Sequence, residues 1–543
     1  MYVLLTLAVA TAGAVAARTL LRTRALFRPT LLLRFETGPA RSRNGWKEFW
    51  ARDSFVQAQR TRTGMAFGIY DVPGGDPITT HLAPNDLLQH TLILGATGSG
   101  KSSLLEHLAQ YHLREKRGFT LIDLHGDLYA RVSARAAAAP PERLVLIDFT
   151  RPETLPGWNP LAKLEGVDTG RQVDLLVGVL KRLYAGEDVA SWSWGVKVEE
   201  ITRYALRACI ESVVPITLVE LRSFFLIPAV RQRVLATASV EVRGYFSSRF
   251  GAREEMYVSA VLNKLEPFLG SSAVQRFLGQ PESSVDLLAA IDRGDTLLVN
   301  LAKGYLGPIA DVMGRLLVNS LQTAALRRER IPPHKRRPYS ILLDEAHVLA
   351  ATESGLEDFL VAARKYRVFV TLAAQGLSLF PAAFRPHLLG NTGRQFFFRL
   401  PHSEARTLSR DIFEPLGTVW RKQVRPNESI DDPLLTPVEE IAWRTAELAN
   451  LPTGACYWLL KGRPYKARRV QVLKPSPVGH PDHRSSGSSN AMTTPPASPL
   501  QRPLHAAIAE RSARRMRAAG IVEESPQTFT GSDVTLPDRK RHA

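Results

Sequence analysis

An α/β fold built on a parallel-rich central sheet is the architecture this sequence predicts, and three observations carry it. Short, continuous apolar runs bounded by Gly and Pro alternate with helical stretches from about Met65 onward. That is the pattern of strands buried on both faces of a parallel sheet. A glycine-rich octapeptide, Gly95 to Ser102, stands between one such run and a helical stretch. Far downstream, another apolar run ends in two adjacent carboxylates, Asp344 and Glu345.

Composition sets the frame. A chain of 543 residues is too long for a single core, because domains run to roughly 150 residues each. With 45% apolar and 22% charged residues, a wholly disordered or fibrous chain is excluded. The net charge of +18 is uneven: residues 1–63 carry +8, residues 474–543 carry +4, and the long middle only +6. Basic ends favour a polyanion, either anionic lipid or nucleic acid. The two cysteines, Cys209 and Cys456, form no metal-ligand spacing and no disulfide framework, so a reducing, cytoplasmic compartment is expected.

The elements follow in chain order. Met1–Ala17 carries no charge and is followed by Arg18, Arg22, Arg24, Arg28 and Arg34. Residues 1–21 therefore read as a single-pass transmembrane anchor, with the bulk of the chain on the cytoplasmic side of the cell inner membrane. A cleaved signal peptide is the rival, and Ala14-Val15-Ala16 resembles a cleavage site. Its positive charge belongs before the apolar run, whereas here it comes after. Residues 22–63 form a basic juxtamembrane segment without regular pattern, its Trp46 and Trp50 suited to a membrane interface.

Residues 64–161 hold the first part of the α/β domain, with strands at Thr91–Leu94, Phe119–Asp123 and Leu144–Asp148. Residues 162–288 show helical periodicity with little strand signal and read as an inserted all-α subdomain, too long for a crossover. Residues 289–473 return to the sheet, with strands at Thr296–Leu301, Ser340–Asp344, Val368–Ala373 and Gln395–Leu400. Ala455–Leu460 and Ala467–Leu473 flank Gly462 and Pro464 as a closing hairpin. Residues 474–543 form a basic, Ser/Pro-rich tail expected to be disordered. Within it, Leu504–Ala519 reads equally as a basic amphipathic helix or a solvated charge run.

The chemistry concentrates in two places. Gly95-Ala96-Thr97-Gly98-Ser99-Gly100-Lys101-Ser102 matches G-x-x-x-x-G-K-[ST], with a strand before it and a helix after it, continuing through Ser103 to about Leu113. Its glycines let backbone N–H groups turn inward around a β-phosphate, and the helix N-terminus adds a favourable dipole. Lys101 reaches the β- and γ-phosphates, and the Ser102 hydroxyl ligates magnesium. At the second place, Ser340-Ile341-Leu342-Leu343 delivers Asp344 and Glu345 at the ligand-binding edge of the sheet. Asp344 is expected to hold the magnesium ion, and Glu345 to orient and deprotonate the attacking water. ATP and Mg2+ are the cofactors this pair implies.

Two further positions fit a hydrolysis cycle. Gln375 ends the strand that runs beside the Asp344 strand, where its amide senses the γ-phosphate or merely caps the strand. Arg364 precedes that strand and is a candidate to enter a neighbouring subunit's site, with Arg394 and Arg399 as rivals. The basic stretch from Arg327 to Arg337 lies at the opposite sheet edge, as a solvated loop or as a channel rim facing DNA. No zinc, Ser-His-Asp or nuclease constellation stands out in the sequence.

Taken together, these residues resemble the FtsK/HerA superfamily of pumping ATPases, most of all the conjugative coupling proteins of type IV secretion. The resemblance runs over roughly residues 64–472. It rests on His90–Leu105, Asp123-Leu124-His125-Gly126-Asp127, Trp158-Asn159-Pro160-Leu161, Leu278-Gly279-Gln280, Leu298–Gly304, Leu342–Ala346, Arg364-Lys365-Tyr366, Ala373-Ala374-Gln375 and Asn391–Arg399. It implies a RecA-like P-loop NTPase with an inserted all-α subdomain and an N-terminal membrane helix. A homo-hexameric ring is implied, with ATP between subunits and a central channel for single- or double-stranded DNA. It also implies an inner-membrane location and partners in the relaxosome and the type IV secretion channel. By position, Lys101, Ser102, Asp344, Glu345 and Gln375 match the family's local ATPase residues and Arg364 its trans-acting arginine. Coupling proteins commonly have two membrane helices; this sequence offers one short span.

Three functions fit these residues. The first is an anchored DNA translocase serving a secretion channel. The second is a HerA-like double-stranded DNA motor acting with a nuclease. The third is a membrane-tethered recruiting scaffold whose ATP site controls assembly.

Overall fold

In the computed structural model, residues 43–72, 75–137, 143–182, 195–349, 355–415, 435–461 and 467–475 are described. The expected membrane span at 1–21 and nearly all of the basic tail lie outside them. Among the described residues no helix is long and apolar enough to cross a membrane.

Eleven strands form one sheet: β1 (Met65–Tyr70), β2 (Ile78–Leu82), β3 (Thr91–Leu94), β4 (Phe119–Asp123), β5 (Leu144–Asp148), β6 (Thr296–Asn300), β7 (Tyr339–Leu343), β8 (Val368–Ala374), β9 (Arg394–Phe397), β10 (Ala455–Leu460) and β11 (Arg468–Val472). Their spatial order is β2-β1-β11-β10-β9-β3-β8-β7-β4-β6-β5. From β9 to β5 every neighbour is parallel; β10, β11, β1 and β2 continue the sheet antiparallel. All seven parallel strands were legible as apolar runs: β3, β4 and β5 with the observed ends, and β6, β7, β8 and β9 with an end shifted by one to three residues.

Both faces of the parallel half are covered, and successive side chains of a strand enter opposite cores. Leu92 and Leu94 pack on one face with Ile341, Leu343 and the helical region. Ile93 and Leu342 pack on the other, with Leu104, Leu105 and Leu108 of the Lys101–Arg114 helix. The parallel strands therefore all end at one edge of the sheet, which gathers the loops that carry the chemistry.

Between β5 and β6 the described residues form helices but no strand, the longest being Val196–Glu211 and Ala252–Leu269. The Trp158–Leu161 motif ties the entrance of this region to its exit. Trp158 N–H donates to Phe277 O at 2.7 Å and Ser284 N–H to Gly157 O at 2.8 Å. The Asn159 amide donates to Ile216 O at 3.0 Å and Pro281 O at 3.2 Å. A side chain at Gly157 would collide with Gln280, 2.1 Å from its Cβ position.

Two sequence expectations need correction. Residues 22–63 were expected to lack regular structure, yet Arg43–Thr61 is a helix. Its C-terminal half docks on the antiparallel strands through Phe55, 5.1 Å from the Tyr70 ring and 5.9 Å from Trp458. Only Phe55, Val56 and Gln59 are buried on that half, too few apolar positions to write a helical period into the sequence. The basic stretch Arg327–Arg337 was read as a solvated loop or channel rim, but Arg328 and Arg336 are buried and bonded to main-chain carbonyls.

Candidate active site

The phosphate loop leaves β3 and is fixed from both sides. Gly95 N–H donates to Ala374 O at 3.1 Å and Ala96 N–H to Arg399 O at 2.7 Å, so the loop is tied to the ends of β8 and β9. Thr97 and Gly98 are exposed at its crest, and Ser99 is buried at its base. Gly98 and Gly100 have φ of +70° and +116°, a region where any other residue is strained. Gly100 starts the Lys101–Arg114 helix, and Ser102 and Ser103 are half-buried in its first turn.

Lys101 is buried, its Nζ donating to Gly95 O at 2.7 Å and Ala96 O at 3.3 Å. Burial lowers the ammonium's pKa, while the nearby carboxylates of Glu345 and Asp344 oppose that shift. The loop and the acidic tip of β7 thus share one electrostatic environment. On the other side, burial pushes the Asp344 carboxyl up to about 6, helped by the charges of Asp123 and Glu345 and opposed by Lys101.

Asp123, from the Asp-x-His-Gly-Asp motif, has its own work. Its carboxylate accepts from His125 N–H at 3.0 Å and Tyr129 N–H at 2.8 Å, the latter a free N–H in the first turn of the Asp127–Ala136 helix. Asp344 is left to face the loop, inside a crowd of negative charge that a divalent cation would relieve. The donor set fits magnesium: Asp344 and the Ser102 hydroxyl would hold it, and the ion would supply neutralisation of phosphate charge.

Glu345 sits at φ +50°, a conformation costing on the order of 1–2 kcal/mol for a residue with a Cβ. Its Oε1 accepts from Gln375 Nε2 at 3.2 Å. Its Oε2 lies 3.4 Å from His347 Nδ1, within ion-pair reach but outside hydrogen-bond geometry. Burial lowers the His347 pKa; the charge of Glu345 works against that shift, and those of Lys303 and Lys101 add to it. Because β8 lies between β3 and β7, Gln375 stands between the phosphate loop and Glu345. One sheet edge therefore brings together Lys101, Ser102, Asp344, Glu345 and Gln375.

The three candidate arginines separate cleanly. Arg364 is exposed in the turn before β8, at the opposite end of a strand about 23 Å long at 3.3 Å per residue. It cannot serve its own phosphate loop. Arg394 is fully buried at the start of β9 and cannot reach a neighbour, which removes it as a rival. Arg399 is half-buried two residues past the end of β9, its carbonyl holding Ala96 N–H, so it belongs to the edge of its own site.

Sequence reasoning missed two contributors. His347 directly follows the Leu342–Ala346 motif, but nothing in the sequence pointed its ring at Glu345. The turn at Thr453–Gly454 also escaped, although it buttresses the phosphate loop: Gly454 N–H donates to Ser99 O at 2.8 Å and Thr453 Oγ1 to Gly98 O at 3.4 Å. The Pro452 and Gly454 pair before β10 was the available signal.

Residues 72–175 match the protein family described as the central domain of helicase HerA. No curated protein matches the sequence. Among solved structures, the bacterial conjugative coupling protein TrwB in its unbound form is 17% identical and covers 78% of this chain and 92% of its own, with a TM-score of 0.51. TrwB with ADP and Mg2+ gives 16%, the same coverage and 0.52; TrwB with sulphate gives 16%, the same coverage and 0.53. The α/β fold, with its large and mostly parallel sheet, is thus shared with TrwB over 92% of that structure. The HerA-type segment holds the phosphate loop and β3 to β5, while Asp344, Glu345 and Gln375 come from beyond it.

Proposed function

We propose that this chain is a membrane-anchored motor that hydrolyses ATP with Mg2+ and pumps DNA toward a type IV secretion channel. The observation that carries the reading is the convergence of Lys101, Ser102, Asp344, Glu345 and Gln375 on one sheet edge, within a fold that follows a conjugative coupling protein over 92% of that protein's chain. TrwB has been seen with ADP and Mg2+, which supports the same cofactors here.

In the proposed cycle the loop N–H groups and Lys101 bind the β- and γ-phosphates, and Asp344 with Ser102 holds the metal. Glu345, steadied by Gln375, takes the proton from the attacking water. Arg364 stabilises charge in the site of the next copy in a homo-hexameric ring, since its own site lies across the sheet. DNA, single- or double-stranded, passes along the ring axis, and relaxosome and channel proteins meet the ring at its two ends. The chain sits at the cell inner membrane through residues 1–21.

The test is steady-state ATP hydrolysis by the full-length chain, with and without single- and double-stranded DNA, beside Lys101→Ala. DNA-stimulated turnover lost in Lys101→Ala is the expected result. Absence of hydrolysis under every metal and DNA condition, with ATP-dependent assembly retained, would instead identify a recruiting scaffold. The HerA match over residues 72–175 favours one second reading, a double-stranded DNA motor acting with a nuclease. Recovery of the native protein in the soluble fraction, with stimulation by duplex DNA alone, would select it.

A further inference from the structure

The turn that carries Arg364 is mounted on two buried arginines. Arg328 Nη1 donates to Tyr366 O at 3.0 Å and Nη2 to Arg337 O at 2.7 Å, and its Nε lies 2.9 Å from Asp292 Oδ1. Arg336 spends its whole fork on carbonyls: Nη1 on Lys365 O at 2.7 Å, Nε on Ile331 O at 2.7 Å, Nη2 on Glu329 O at 3.3 Å. Its guanidinium also lies over the Tyr366 ring at 5.2 Å, with Lys365 Nζ 5.4 Å from the same ring. The turn closes on itself through Arg367 N–H to Arg364 O at 3.0 Å, and Tyr339 N–H holds Arg367 O at 2.9 Å.

This arrangement runs against electrostatics. Arg364, Lys365 and Arg367 already place three positive charges on four residues, and burying two more guanidinium groups beneath them adds repulsion and desolvation. Asp292 and Glu329 offset only part of it. What the arrangement gains is a fixed backbone under an exposed guanidinium that has no ion-pair partner among the described residues. A single immobile arginine suits an anion held at one point, such as a bound triphosphate. A DNA backbone, which presents phosphates along a line, is gripped better by a tract of adaptable side chains.

We infer that Arg328 and Arg336 are positioning residues, which fix the Arg364 turn so that its guanidinium meets the triphosphate bound by a second copy of this chain. The inference rests on the proposed trans role of Arg364. A lysine cannot reproduce either set of contacts, because it lacks the planar fork. Displacing the turn by about 1 Å is expected to cost on the order of 100-fold in rate.

The experiment compares Arg336→Lys, Arg336→Gln and Arg364→Ala in the full-length chain, each alone and mixed with Lys101→Ala. Melting temperature and KM for ATP are followed alongside kcat. The expected result is a kcat lowered about 100-fold in Arg336→Gln, with KM changed less than about threefold. Mixing with Lys101→Ala should raise activity above that of either variant, because each such subunit still presents an intact Arg364 turn to its neighbour. A merely structural loss would not be rescued by mixing. Full kcat in Arg336→Gln with Arg364→Ala inactive would overturn the mount and leave the trans reading standing. Full activity in Arg364→Ala would remove the trans reading itself. Unchanged basal turnover with only DNA stimulation lost in Arg336→Gln would place the turn on DNA and overturn the inference.

Discussion

Gln375 Nε2 donates to Glu345 Oε1 at 3.2 Å, joining the tips of two neighbouring parallel strands. The bond holds the proposed base by one oxygen. Gln375→Ala is expected to lower kcat by roughly 10–100-fold, in the range of losing one positioned donor, with KM for ATP within about threefold of wild type. Gln375→Glu should be worse, since two carboxylates would then face each other. Steady-state hydrolysis across an ATP titration checks both. A change confined to KM would make Gln375 a binding residue.

Glu345→Gln keeps the size and the backbone of the residue, and with them the φ of +50°. Nucleotide affinity should be retained while hydrolysis drops by about 10²–10⁴-fold, the usual contribution of a positioned base. Binding of a fluorescent ATP analogue and phosphate release, measured on the same sample, separate the two. Hydrolysis within a few-fold of wild type would move the base elsewhere.

Asp344 gives the apo protein a pH dependence of definite sign. Its folded pKa of about 6 lies above the ordinary 3.8, so the folded state holds the proton more tightly than the unfolded one. The resulting stabilisation is complete below about pH 4 and is lost as pH rises to about 6, amounting at most to about 3 kcal/mol for a two-unit shift. Asp344→Asn is therefore expected to melt higher than wild type at pH 7 to 8 and to match it near pH 4, while being inactive. Denaturation monitored at both pH values in EDTA is the measurement. Equal stability at pH 7 would mean that the charged carboxylate is well solvated.

Much of this was legible in the sequence, for physical reasons that differ by element. β3, β4, β6, β7 and β8 are buried on every residue, and full burial writes an uninterrupted apolar run. β2 left no such trace, because Ile78-Thr79-Thr80-His81-Leu82 is a polar edge strand that gains order by pairing with β1; β1, Met65–Tyr70, is an apolar run that the sequence reading passed over. The phosphate loop and the Asp344–Glu345 tip are local motifs and were readable. The partners of Glu345 were not: Gln375 reaches it because β8 lies beside β7, and the His347 ring comes near it only through the turn that follows β7. Charge misled the reading at Arg328 and Arg336, where a basic run implies solvent but the guanidinium forks satisfy buried carbonyls.

The contact between Thr453–Gly454 and the phosphate loop yields a last prediction. Gly454 has φ +82°, and its Cα lies 2.9 Å from where a Cβ on Gly100 would stand, so the two chains meet backbone to backbone. Gln471 Nε2 donates to Thr453 O at 3.2 Å, and Val472 N–H to Gly454 O at 2.8 Å, so β11 holds the turn against the loop. Gly454→Ala imposes left-handed backbone strain of about 1–2 kcal/mol and pushes on the Gln471 side chain, whose amide would be 2.5 Å from the new Cβ. The strain is relieved most easily by moving the turn away from Ser99, which loosens the loop that binds phosphate. ATP affinity should therefore fall several-fold, with kcat at saturating ATP less affected than in Gln375→Ala. Adding Gln471→Ala removes the crowding but not the φ strain and should recover only part of the loss. Equilibrium binding of a fluorescent nucleotide, read beside the melting temperature, decides the matter: a lower melting temperature with unchanged affinity would show that the turn braces the fold without shaping the loop.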